Sequence, residues 1–174
     1  MIESSEEKYW FALYTKPRSE FKAEQQLMGV SIENYLPTVT RLKQWSDRKK
    51  RITSPLLNGY IFILANEADR LTSIEQPAIV RCIFDSGRPA RIPEWQIDNI
   101  KKLLETDQDV IVQNGIVPGA KVIIRSGSFE GVKGIVIEGE AGKSISVSID
   151  LLNRSIIAHL PDDSNLELVR DSSY

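Results

Sequence analysis

From Pro118 onward, turn-forming residues interrupt the sequence so often that only short strands fit between them. Apolar segments at 120–125, 134–138, 144–149, 154–160 and 166–169 are separated by Gly127, Gly131, Ala141-Gly142, Asn153 and Pro161. Ser144 to Ile149 alternates polar and apolar residues strictly, which is the period of a strand with one buried face. On a helix the same residues would point their apolar side chains to opposite sides. Five such strands in close succession predict a small β-barrel or sandwich.

The preceding residues have a different texture. Tyr9 to Thr15 is aromatic and apolar and predicts a buried strand. Pro17 ends it, and 18–28 predicts a helix with Phe21, Leu27 and Met28 on one face and Gly29 as its stop. Strand character covers 35–45, returns near Ile52, and runs through Tyr60 to Leu64 after Asn58-Gly59. A second helix starts at Asn66, whose side chain can cap it, and ends at Pro77. Residues 78–84 form another strand, and Pro93 opens a third helix with Ile97, Ile100 and Leu104 at i, i+3 and i+7. Strand–helix–strand–strand–helix–strand–helix points to an α+β sandwich, an antiparallel-rich sheet with helices packed on it. Residues 106–117 have no clean period and read as a linker.

At 174 residues the chain has room for one ordinary domain or two small ones. Charge supports two. Residues 1–106 carry 16 Lys and Arg against 14 Asp and Glu, whereas 107–174 carry 6 against 10. A mildly basic front and an acidic back suggest different partners.

Catalytic patterns are lacking. There is no Gly-x-Ser-x-Gly elbow and no phosphate-binding loop, and the glycines at 127, 131 and 134 lie between strands without dinucleotide spacing. His159 is the single histidine and reads as a surface or structural residue. Cys82 is the single cysteine and lies in an apolar strand, which excludes an internal disulfide and reads as an inert buried thiol. A non-enzymatic binding module with no cofactor and no metal is expected. The acidic start, Met-Ile-Glu-Ser-Ser-Glu-Glu, is unlike a secretory leader, and no apolar run reaches the ~18 residues a membrane span needs. The expected compartment is the cytoplasm.

Three features could carry binding. Arg41, Lys43, Arg48, Lys49, Lys50 and Arg51, relieved only by Asp47, surround the tip of a predicted hairpin. They read either as a solvated, edge-protecting cluster or as a contact for a nucleic acid backbone or an acidic protein surface. Lys16, Arg18 and Lys22 stand at the start of the first helix, where cations oppose the helix dipole. Trp10 and Tyr14 share one side of their strand, as do Tyr60 and Phe62 of theirs. Those rings are either ordinary core or a protein-binding patch.

In their order along the chain, these features resemble the NusG family of transcription elongation factors. Trp10 to Pro17 resembles that family's first strand, and Pro55-Leu-Leu-Asn-Gly-Tyr-Ile-Phe-Ile resembles its Pro-Leu-Phe-Pro-Gly-Tyr-Val-Phe signature. Pro118-Gly-Ala-Lys-Val, followed by Gly127-Ser-Phe-Glu-Gly-Val-Lys-Gly-Ile-Val, resembles the KOW motif. The resemblance implies an α+β fold in two parts. A NusG-type antiparallel α/β sandwich would occupy 1–105, and a small SH3-like KOW β-barrel would occupy 118–170 after the linker 106–117.

The family's first domain docks an apolar patch on the clamp helices of the largest RNA polymerase subunit and bridges the cleft toward the second-largest. Carried over by motif, the patch comprises Tyr14, Leu57, Tyr60, Phe62 and Phe84. The resemblance would place Lys16, Arg18 and Lys22 near the non-template DNA strand; Arg48, Lys49 and Lys50 are candidate nucleic-acid contacts on their charge at the hairpin tip alone. Arg70-Leu-Thr-Ser falls where relatives reach across the cleft. The implied activity is suppression of pausing and antitermination by a monomer that stays off membranes.

Asn58 and Leu57 depart from the signature's Pro and Phe. That divergence resembles specialised paralogues such as RfaH and capsule-operon regulators, which act on long surface-polysaccharide operons. Leu152-Asn-Arg154 stands where the general factor contacts a ribosomal protein or Rho through a Phe-Gly-Arg loop. The alternative reading is an RNA- or ribosome-binding KOW module in translation.

Overall fold

In the computed structural model, which describes residues 7–106 and 108–169, contacts divide the chain into two units at Pro93/Glu94. The front unit runs β1 (Tyr9–Thr15), α1 (Glu20–Gly29), β2 (Glu33–Tyr35), β3 (Thr38–Gln44), β4 (Lys49–Pro55), β5 (Tyr60–Ala65), α2 (Glu67–Ile74), β6 (Ile79–Cys82), β7 (Phe84–Asp85), β8 (Arg88–Pro89) and β9 (Arg91–Ile92). The second unit runs α3 (Glu94–Leu104), β10 (Val110–Asn114), β11 (Lys121–Ser126), β12 (Lys133–Gly139), β13 (Gly142–Ile149), β14 (Arg154–His159) and β15 (Asn165–Leu168). The extreme acidic start and the last residue expected in the barrel, Arg170, lie outside the described residues.

β1 is apolar because it lies inside a sheet of order β2-β5-β1-β6, antiparallel throughout. Its register on β5 runs from Tyr9↔Ala65 to Tyr14↔Tyr60. Period two then sends Phe11, Leu13, Ile61 and Ile63 to one face, where they pack with Ala23 and Leu27 of α1. Trp10, Ala12, Tyr14, Tyr60 and Phe62 take the other face.

α1 corrects the expected helix face. Ala23 and Leu27, at i and i+4, point inward, so Phe21 and Met28 fall off that stripe and are exposed. α2 forms as its sequence predicts, with Asn66 Oδ1 accepting from the Asp69 N–H at 2.9 Å. The β7–β8 hairpin turns on Ser86 and Gly87, both at positive φ, as a two-residue hairpin turn of this hand requires.

The second unit is a six-stranded antiparallel sheet of order β10-β14-β13-β12-β11-β15. Ile124, Phe129, Val132, Ile145, Val147, Ile149 and Ile156 are buried within it. A single sheet that encloses its own core must curl, which gives the expected small barrel. The segment 106–117 is not a simple linker. Val110–Asn114 pairs with β14 from Val110↔Ala158 to Asn114↔Arg154. Val110 is buried while Ile111 is exposed, an edge-strand alternation that Asp109, Gln113 and Asn114 obscure in the sequence.

α3 also groups with this unit and packs on β13. Asn99 is almost fully buried. Its Nδ2 donates to the Lys133 carbonyl at 2.8 Å, and its Oδ1 accepts from the Lys133 N–H at 3.1 Å. Gln96 Nε2 donates to Asp150 Oδ2, and Lys102 Nζ donates to the Glu130 carbonyl. A Cβ on Gly134 would lie 2.4 Å from the Ser146 carbonyl oxygen, so a larger residue there would force the two strands apart. Replacing Asn99→Ala leaves the Lys133 backbone groups without that partner and should lower the free energy of urea unfolding by about 2 kcal/mol. An unchanged midpoint would show that this pairing contributes nothing.

Candidate functional site

The turn before β5 organises one end of the front sheet. Gly59 has φ +84°, a conformation that disfavours side chains. Its N–H donates to Glu20 Oε1 at 2.8 Å, and its carbonyl accepts from the Thr15 N–H at 2.8 Å. The buried carboxylate of Glu20 thus ties the first turn of α1 to the turn before β5, and the Gly59 carbonyl ties that turn to the end of β1. A Cβ at position 59 would stand 3.0 Å from the Tyr14 ring, so the positive φ and this close approach both favour glycine here.

Tyr14 and Tyr60 face each other across β1 and β5 with ring centroids 5.5 Å apart and planes at 60°, a favourable tilted pair. Tyr14 is 36% exposed, and the Arg81 guanidinium stands 5.9 Å from its ring centroid. Beside it lies a hollow of about 520 Å³ lined by Tyr14, Thr15, Pro17, Arg18, Glu20 and Phe21, among others. Thr15 Oγ1 is buried and finds no hydrogen-bond partner among the described residues. Lys16, Arg18 and Lys22 are all exposed around the same helix start, and Arg18 holds φ +56°. Phe21 belongs to this rim and was missed in the sequence, because the stripe that turns it outward is set by Ala23 and Leu27.

The five expected patch residues do not stay together. Phe62 is completely enclosed and stacks on Tyr35 with centroids 6.5 Å apart. Leu57 is also interior. Neither is open: Phe62 shares its strand face with Tyr60 but is covered there, and Leu57 is buried in the turn before β5. Phe84 is 53% exposed on β7, with the Arg70 guanidinium 6.0 Å from its ring centroid. Arg70 is itself buried, and its Nε donates to Glu67 Oε2 at 2.9 Å. That hydrogen bond holds the Glu67 carboxyl below the usual carboxylate range.

Arg48, Lys49 and Lys50 are exposed at the tip of the β3–β4 hairpin. In the second unit, Leu152 is buried and Arg154 Nη1 donates to the carbonyls of Leu152 and Asn153, at 3.1 and 3.2 Å. Leu152 is therefore interior, contrary to its expected place in an exposed contact loop. Among the described residues, no group of His, Cys, Asp and Glu could hold a metal ion, and no helix is long and apolar enough to cross a membrane.

Comparison with known proteins places these features in a family context. The family model described as "Transcription termination factor nusG" matches residues 8–101. The solved structure described as "Domain interaction in Thermotoga maritima NusG" is 20% identical, with a TM-score of 0.50 over 88% of this chain and 94% of that one. It shows likeness of fold. Conformation A of the MjSpt4:Spt5 complex is 18% identical, with a TM-score of 0.31 over 92% of this chain and 97% of that one.

Cys82 is 3% exposed, and burial pushes its thiol above the ordinary cysteine range. It should therefore stay protonated and resist a disulfide reagent at neutral pH, then react fully once the chain is unfolded. Rapid labelling of the native protein would contradict that environment.

Proposed function

The chain belongs to the NusG family of transcription factors, and from that premise we propose that it is a transcription elongation and antitermination factor. Its Tyr14–Tyr60 end binds the clamp helices of the largest RNA polymerase subunit. The observation that carries this reading is the contrast within one aromatic face. Trp10 and Phe62 are interior, whereas Tyr14 and Tyr60 remain partly open, Tyr14 beside a hollow. Tyrosines at such a rim offer apolar area with a hydroxyl that can stay wet, a combination enriched at binding hot spots. Phe21 and Pro17 extend the apolar rim. Phe84 offers a second exposed ring on β7.

Arg18 lines the hollow, and with the exposed Lys16 and Lys22 at the same helix start it would neutralise phosphates of the non-template strand while the rings engage polymerase. A factor held at both places bridges the cleft toward the second-largest subunit and disfavours pausing. Asn58 and Leu57 stand where the family signature has Pro and Phe, which supports a specialised role on particular long operons, such as those for surface polysaccharides. The excess of carboxylates in 107–174 works against RNA binding by the barrel.

The test is a Tyr14→Ala/Tyr60→Ala variant of the full chain. Each truncation should weaken polymerase binding by about 2 kcal/mol, or roughly 30-fold, and the pair should abolish co-purification. The circular dichroism spectrum should stay unchanged, and pause suppression should disappear from a purified transcription assay. Undiminished co-purification by the folded double variant would refute the assignment.

A further inference from the structure

The β3–β4 hairpin forms a two-stranded sheet of its own, and residues 41–51 are exposed along its outer half. That stretch contains six cations and one carboxylate, although the whole chain carries a net charge of −2. The register sets Lys43 directly opposite Lys50 on one face. It pairs Leu42 with Arg51 and Gln44 with Lys49 on the other. Like charges placed opposite each other destabilise a ribbon unless an anion covers them. Edge protection needs charges but does not need two lysines paired across the strands. At the tip, Trp45 is half exposed, with Lys50 Nζ 5.9 Å from its ring centroid.

We propose that this hairpin enters the major groove of duplex DNA. Cations on both of its faces distinguish a groove from a flat acidic surface, since a groove presents phosphates on two walls and a flat partner on one. A two-stranded ribbon fits the B-form major groove, about 12 Å wide. The A-form RNA groove is too narrow and deep to admit it. A single strand would favour a row of stacking rings, whereas the ribbon carries only Trp45 at its tip. Contacts of this kind are to phosphate and are tolerant of sequence. The inference rests on the transcription reading for the choice of DNA as the duplex, and it assigns the hairpin a separate ligand from the Tyr14–Tyr60 rim.

The test measures binding of the full-length protein to a duplex DNA of about 20 base pairs, the matching single strand and a duplex RNA, across a salt series. Duplex DNA should bind tightest, with affinity falling steeply as salt rises. Lys49→Gln/Lys50→Gln should reduce the slope of log K against log salt by roughly 2 and weaken duplex binding about 10- to 100-fold at low salt. Lys49→Arg/Lys50→Arg should retain both, which separates lost charge from lost folding. Equal binding to all three nucleic acids, or unchanged duplex binding by the Gln variant, would overturn the proposal. Loss of polymerase co-purification by the Gln variant with duplex binding intact would also overturn it and assign the hairpin to an acidic protein surface. The Tyr14→Ala/Tyr60→Ala variant separates the two readings. If it keeps polymerase, the assigned function fails while the hairpin's DNA binding stands. If it loses polymerase while the Gln variant binds DNA normally, only the hairpin inference fails.

Discussion

The front of the molecule depends on β1 being hydrogen-bonded along both edges, to β5 on one side and β6 on the other. A strand paired on both sides cannot slip by one residue without exchanging its buried and exposed faces. That constraint sends Phe11 and Leu13 toward α1 and aligns Tyr14 with Tyr60. The rim, its hollow and the neighbouring cations all inherit their positions from this register. The bond from Gly59 N–H to the Glu20 carboxylate completes the arrangement by joining the start of α1 to the turn. A buried carboxylate must be paired, so the helix start and the turn are held together.

The second unit relies on a different device. Its strands enclose an apolar core, but α3 is held partly by polar groups that pair with backbone. Asn99 offers both a donor and an acceptor to Lys133, in the manner of a neighbouring strand. Such an amide is specific because each half of it would be costly to leave unpaired. β10 adds a sixth strand along β14, and Ser155 Oγ donates to the Gly115 carbonyl just beyond it.

Much of this was legible from local patterns. The Asn66 cap, the alternation of Ser144–Ile149 and the turn residues from Gly127 to Pro161 each have a local physical cause, and the corresponding elements formed. Less was legible where burial depends on distant segments. Phe62 and Tyr60 share one strand face, yet one ring is enclosed and the other sits at a rim. Leu57 falls in the expected docking patch and Leu152 in the expected contact loop, yet both are interior. Phe21 looks like a core residue by composition and is exposed, because the helix is rolled to bury Ala23 and Leu27.

The sequence by itself determined the two-part α+β organisation, the family signatures and the concentration of cations between Arg41 and Arg51. Periodicity, turn chemistry and charge act over a few neighbouring residues, so they can be read along the chain. Only the tertiary structure decided which aromatics stay open and that the hollow lies beside Tyr14. Likewise, it alone decided that Val110–Asn114 would pair with β14. Those outcomes depend on what packs against each side chain from far away in the chain, and on backbone groups finding partners that no local pattern names.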